Sequence, residues 1–256
     1  NLNKSRAEIL QLREKKFRRL LKYAYREIPF YRQLYQEAGV REKDLVEIEI
    51  ADLPAVNKKM IMDNFSQVVR SDITRREVEK FLVNSENPAN LLRDKYRVLH
   101  SSGSSGQIGY YLYSSGAWDF VKALSLRMFE QFGWEQKRYA FIGAADGHYA
   151  GISLFLSPVG QLEEWFYEDF LVLHINHPLE DYLEQLNQCQ PTNLTGYPSG
   201  IKILADLHQE GKIDIAPQTI VCGGEPLTKD QKSYIQATWG IEPVNNYSTS
   251  EGLMMG

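Results

Sequence analysis

The feature that most constrains the fold is an alternation beginning at Val98. Short apolar, β-prone runs are followed by stretches of helical spacing, with turn residues between them. Tyr110–Tyr113, Tyr139–Ile142, Asn193–Tyr197, Gln218–Cys222 and Val244–Tyr247 read as strands. Ala117–Phe132 reads as a helix. So does Pro178–Gln188, where Leu179, Tyr182, Leu183 and Leu186 fall at i, i+3, i+4 and i+7 and Pro178 suits the first turn. Ser199 can cap a helix running through Leu207. Thr228 and Gln231 form a capping-box pattern for a helix to Trp239, which Gly240 closes. Alternation of this kind implies an α/β sheet covered by helices on both faces. Such sheets hold ligands outside the carboxyl ends of their strands.

The first part of the chain has another pattern. Residues from Arg6 to Ile28 read as a helix, with Phe17, Leu20, Leu21, Ala24 and Ile28 forming one apolar stripe and Pro29 ending it. A second helix, Tyr31 to Ala38, stops at Gly39, and a third begins near Lys58. Arg13, Lys15, Lys16, Arg18, Arg19 and Lys22 make the first helix densely basic. A solvated scaffold helix is favoured over a membrane-surface one. Ser71 to Asp94 is polar and irregular, with Phe81-Leu82-Val83 read as a short strand and Asn87-Pro88 as a turn. The expected division is a helical arm, 1–75, and an α/β core, 76–256.

With 256 residues, 43% of them hydrophobic, the chain can bury a substantial core. Its 29 basic and 33 acidic residues leave a net charge of −4, which gives no reason to expect a nucleic-acid partner. Cys189 and Cys222 make neither a metal-ligand spacing nor a disulfide framework, and a reducing, cytoplasmic location fits. No apolar run reaches membrane-spanning length.

Three stretches carry the chemistry. The first is Ser101-Ser102-Gly103-Ser104-Ser105-Gly106, set between β-prone runs. Its glycines permit positive φ, and its hydroxyls and peptide N–H groups can turn inward as an anion nest, such as a triphosphate needs. A flexible linker has the same composition, but a linker has no reason to be framed by strands. The second is Cys222-Gly223-Gly224-Glu225-Pro226-Leu227, and the third is Asn246-Tyr247-Ser248-Thr249-Ser250-Glu251-Gly252. Taken in this order, the set resembles the adenylate-forming superfamily, with its Ser/Thr/Gly phosphate loop, Gly-Gly-Glu-Pro turn and Tyr-Gly-x-Thr-Glu signature. The closest flavour is the phenylacetate–coenzyme A ligase family and its coenzyme F390 synthetase-like relatives. Tyr23-Ala24-Tyr25-Arg26-Glu27-Ile28-Pro29-Phe30-Tyr31 and Leu194-Thr195-Gly196-Tyr197-Pro198-Ser199 are similar to that family too, so the resemblance runs over nearly the whole chain.

The resemblance implies the large N-terminal domain of an adenylate-forming enzyme, sheets flanked by helices, with a helical N-terminal arm. It implies ATP-dependent activation of a small carboxylic acid and transfer to coenzyme A, with Mg²⁺. An acyl carrier protein is an alternative acceptor, and a homodimer is allowed. Ser101, Ser102, Gly103, Ser104, Ser105 and Gly106 would bind phosphate. Gly223, Gly224, Glu225, Pro226, Asn246 and Tyr247 would bind adenine. His148, Tyr149, Gly151, Tyr197, Pro198 and Ser250 would shape the acyl pocket, which suggests an aromatic or other compact acid. Glu251 would hold Mg²⁺.

The chain departs from the pattern in places. Gln107 and Ile108 stand where the family has Lys and Pro, so one phosphate-facing cation is missing. Ser248 replaces Gly and Ser250 replaces Thr. The family continues with a ribose-binding Asp, a hinge and a small lid domain carrying the catalytic Lys. This sequence ends at Gly256, so the lid is expected to be absent and the chain alone inactive. A non-catalytic nucleotide- or acyl-binding module therefore stands beside the ligase reading. Gly196-Tyr197-Pro198-Ser199-Gly200 places its serine fourth, where a hydrolase elbow needs it third. No Gly-Lys-Ser/Thr follows the serine loop, as a P-loop requires.

Overall fold

The computed structural model describes residues 4–69, 72–103, 106–130, 137–157 and 167–254. The chain divides into two compact units, 1–79 and 80–256.

The first unit is helical. α1 (Arg6–Glu27) starts at a Ser5/Glu8 capping box, and Pro29 opens α2 (Pro29–Glu37) at its first turn. Leu21 and Tyr25 of α1 pack with Tyr35, Val40 and Leu45. Leu20, expected in the apolar stripe, is instead 63% exposed. Arg18 also departs from the solvated reading: its guanidinium pairs with Glu14 and donates to the Ile48 carbonyl at 2.5 Å. The short helices α3 (Lys58–Asp63) and α4 (Phe65–Val68) follow, with Asn57 capping α3.

The strand expected at Phe81–Val83 is the end of a helix, α5 (Arg75–Val83). The Thr74 hydroxyl accepts from the Glu77 N–H, and Arg75 pairs with Glu79 one turn on. Those helix-forming residues carry the three β-prone ones with them.

In the second unit, β1 (Tyr96–His100) and β2 (Tyr110–Ser114) pair antiparallel, so the serine loop is the connection of a β-hairpin. α6 (Ser115–Glu130) follows directly; Phe132, where this helix was expected to end, lies outside the described residues. Then β3 (Lys137–Gly143), β4 (Tyr167–His174), β5 (Asn193–Gly196), β6 (Thr219–Cys222) and β7 (Val244–Asn245) form one parallel sheet, in the order β4-β3-β5-β6-β7.

This order places the site. From β3 the chain runs through α7 (Ala150–Leu156) to β4 on one side. It then returns across β3 to β5 and continues through β6 and β7 on the other. Reversing direction with right-handed crossovers moves the helices to the opposite face. Accordingly, Ile152 and Phe155 of α7 pack on Tyr139 and Phe141 of β3. α8 (Leu183–Cys189), α9 (Pro198–Gln209) and α10 (Lys229–Trp239) send Leu186, Ile201, Leu204 and Ile235 to the face carrying Ala140 and Ile142. The crevice where the winding reverses lies at the carboxyl ends of β3 and β5.

Three local expectations are corrected. The helix expected from Pro178 to Gln188 is a 3₁₀ turn, Leu179–Tyr182, ahead of α8. Tyr197, not Ser199, is the N-cap of α9, with Pro198 in its first turn. The strand expected to Tyr247 stops at Asn245, and a small hairpin of β8 (Ser248–Thr249) and β9 (Leu253–Met254) follows. Leu253 anchors that hairpin against Leu99 and Trp118.

Candidate active site

A cavity of about 320 Å³ opens at this crevice. Four of the five strands contribute. Ala144 follows β3, Gly196 and Tyr197 close β5, Gly223 and Gly224 follow β6, and Asn246 follows β7. Ser101 and Ser102 of the hairpin connection reach it from one side, and Ser248, Thr249 and Ser250 from another. Phe141, Tyr149, Leu154 and Phe155 supply apolar wall.

Two glycines make this geometry accessible. Gly196 has φ +139°, and a Cβ there would lie 1.9 Å from the Ile142 carbonyl oxygen. That close approach lets the Tyr197 N–H donate to Ile142 O at 2.8 Å. Gly224 has φ +80°, and a Cβ there would meet the Tyr197 ring at 2.6 Å. The Tyr197 ring is therefore packed by the turn, and its burial raises the hydroxyl's pKa.

The serine loop is shaped by its own hydrogen bonds. Ser101 N–H donates to Gly109 O at 2.9 Å, and Gly109 N–H donates to Ser101 Oγ at 2.8 Å. Gly103 and Gly106 both take positive φ. The hairpin is tied to the sheet's loop where His100 N–H donates to His148 O at 3.1 Å. The His100 ring lies 4.3 Å from that of Tyr149, and burial lowers its pKa.

No family model matches the chain. Phenylacetate-coenzyme A ligase of Aromatoleum evansii is 24% identical over 263 residues, covering 96% of this chain and 52% of that protein. The Pseudomonas putida enzyme of the same name is 25% identical over 264 residues, with coverage of 96% and 52%. Among solved structures, an open conformation of 2-hydroxyisobutyryl-CoA ligase in complex with 2-HIB-AMP and CoA superposes with a TM-score of 0.69. It is 17% identical and covers 96% of this chain and 54% of that one. The chain has the N-terminal fold of the adenylate-forming superfamily. It spans about half the length of the curated relatives it matches.

On this adenylate-forming fold, the sequence-predicted residues separate into two groups. The cavity brings together Ser101, Ser102, Tyr149, Gly151, Tyr197, Gly223, Gly224, Asn246 and Ser250. Gly103, Gly106, Pro226 and Tyr247 are not among its lining residues, and Tyr247 is 64% exposed. Ser104 and Ser105 lie outside the described residues. His148 does not line the cavity. It is fully buried, with Nε2 3.1 Å from Ser85 Oγ and its ring against Phe81. Pro198 is buried in the first turn of α9. Glu225 turns to α9 instead, accepting from the Ser199 hydroxyl at 2.6 Å and so placing a carboxylate at that helix's N-terminus. Glu251 is exposed beside the cavity, accepting from the Tyr111 hydroxyl at 2.5 Å.

Sequence reasoning missed His100, Phe141 and Phe155. His100 was legible only as the last residue before the serine loop. Phe141 sits inside an expected strand, on the face that α7 packs against, and lines the cavity together with Leu154 and Phe155 of that helix. Among the described residues, the cavity wall holds no Lys or Arg.

Proposed function

We propose that this chain is the nucleotide- and acyl-binding part of an ATP-dependent acid–thiol ligase. The observation that carries the reading is that all three motif stretches reach one cavity at the reversal point of the sheet. Adenylation needs a carboxylate oxygen to attack the α-phosphorus while the bond to pyrophosphate breaks. A thiol sulfur then attacks the acyl carbon, loses its proton, and AMP leaves. Positioning and charge stabilisation dominate both steps.

In this reading the serine loop holds phosphate oxygens. Gly223 and Gly224 let the adenine approach backbone closely. Asn246 Oδ1, shielded from water and without a hydrogen-bond partner, is an acceptor suited to the adenine amine. Phe141, Tyr149, Phe155 and Tyr197 shape the acyl end for an aromatic or compact acid. Glu251 offers a single carboxylate, which suits a Mg²⁺ that shares its ligands with nucleotide phosphates. That ion, when bound, offsets phosphate charge. Coenzyme A is the preferred acceptor, with a carrier protein as the variant. Cys189 and Cys222 are both buried, which suits a reducing cytoplasm.

One observation favours a second reading. With no Lys or Arg on its described wall, the cavity cannot itself neutralise charge building at the α-phosphorus. A positioned cation can be worth several kcal/mol, about a hundredfold or more in rate. We therefore expect the 256-residue chain alone to bind an acyl-adenylate better than it makes one.

The test is ATP–pyrophosphate exchange with a panel of aromatic and short-chain acids, run beside a titration with an aryl acyl-sulfamoyl adenosine. Acid-dependent exchange supports the ligase. Saturable binding without exchange supports the binding module. Neither binding nor exchange would overturn both.

A further inference from the structure

Outside the cavity, one cluster of side chains is left unexplained by acyl-adenylate chemistry. Asp146 lies in the loop after β3, His174 ends β4, and His177 sits three residues further on. One ligand atom from each lies within 4.8 Å of the other two. Asp146 Oδ1 is 2.6 Å from His174 Nδ1, yet that nitrogen, shielded from water, makes no aligned hydrogen bond. The carboxylate oxygen and the imidazole nitrogen therefore face one point. The His174 and His177 rings stack at 4.9 Å and 15°. The Tyr182 hydroxyl lies 3.2 Å from His177 Nδ1, a contact that orients that ring.

We propose that Asp146, His174 and His177 form a site for a divalent transition-metal ion, with Zn²⁺ as its first occupant to test. Two imidazoles and one carboxylate suit borderline metals such as Zn²⁺, and three protein ligands leave a fourth position for water. Mg²⁺ is disfavoured by the nitrogen donors. Metal–ligand bonds of about 2.0–2.1 Å place tetrahedral ligand atoms about 3.3 Å apart. The Asp146–His174 contact must open by well under an ångström, and His177, on an exposed turn, must move inward by about as much as 1–1.5 Å.

The position gives the site a structural consequence. Asp146 lies between two cavity-lining residues, Ala144 and Tyr149, on one loop. A metal bridging Asp146 to the end of β4 fixes that loop to the neighbouring strand. The proposal does not depend on what the cavity binds.

The experiment is equilibrium dialysis of the metal-stripped chain against buffered Zn²⁺, with metal content and melting temperature read together. Co²⁺ substitution reports the coordination sphere by its visible absorption. The expected result is about one Zn²⁺ per chain, a raised melting temperature, and a Co²⁺ spectrum of low coordination number. Asp146→Asn and His177→Gln change exposed side chains and should keep the fold by circular dichroism while weakening Zn²⁺ about a hundredfold or more; Tyr182→Phe should weaken it about tenfold. Stoichiometric Zn²⁺ retained at unchanged affinity in both ligand variants would overturn the proposal. So would a parent chain that takes up no saturable Zn²⁺.

Discussion

Gly196→Ala tests the geometry that builds the cavity. The added Cβ would lie 1.9 Å from Ile142 O, 2.7 Å from its carbonyl carbon and 2.9 Å from its nitrogen. These are backbone atoms of the adjacent strand, so no side chain can swing away. The shortest gap is about 1.4 Å less than even a tight C–H···O contact of ~3.3 Å. The φ of +139° adds a conformation other residues avoid, at about 1–3 kcal/mol. Forcing β3 and β5 apart adds about 1–3 kcal/mol of overpacking. It also threatens the Tyr197 N–H to Ile142 O bond, worth about 1 kcal/mol. The sum is roughly 3–7 kcal/mol, a large part of a typical stability of about 5–15. Gly240→Ala is the control. Its φ is +72° with nothing within 4 Å of a Cβ, so it should cost only about 1–2 kcal/mol. Urea unfolding followed by circular dichroism reads both. Gly196→Ala within 1 kcal/mol of Gly240→Ala would refute the reasoning.

Three further expectations follow from individual groups. Burial pushes the Cys222 thiol up to about 12, and Cys189 is buried as well. Neither should react with Ellman's reagent at pH 8 until denaturant is added; fast stoichiometric reaction of native protein would contradict this. His148 is held below its ordinary 6.5, first by burial and then by nearby His100 and Arg97. Its neutral form favours folding, so this stability is present above about pH 6.5 and is lost as pH falls below it. His148→Gln should flatten that acid slope in denaturation midpoints, and an unchanged slope would count against the assignment. Glu251→Gln should remove most of the gain in ATP affinity that Mg²⁺ brings, because one anionic ligand is lost. Identical Mg²⁺ titrations of the two proteins would make Glu251 an ordinary surface carboxylate.

Much of the parallel sheet was legible because its strands are short, apolar and separated by strong turn residues. The Thr228/Gln231 box and the left-handed Gly240 behaved as local chemistry requires. The failures lie where tertiary or neighbouring effects outweigh a local pattern. Phe81–Val83 has strand propensity but continues a helix already capped and paired. β4 went unread although Phe170, Leu171, Val172 and Leu173 fill it, alternating between the two core faces. At the site, motif order linked three distant stretches, and residues of all three line one cavity. It could not show that Glu225 is engaged by Ser199, or that His148 points into the core while His100 faces the cavity. Those outcomes depend on which way a side chain leaves its turn. The His174-x-x-His177 spacing was visible in the sequence, but its partner Asp146 is distant along the chain and joins only through the β3–β4 pairing.

The central claim is that the crevice between β3 and β5 receives an acyl-adenylate. The most direct measurement is photolabelling with an aryl acyl-sulfamoyl adenosine carrying a diazirine on its acyl ring, followed by peptide mapping. The predicted result is ATP-competed labelling confined to peptides containing Phe141, Tyr149, Phe155 and Tyr197, with Ser102→Trp abolishing it. Labelling that maps elsewhere on the chain, or that survives Ser102→Trp, would contradict the account.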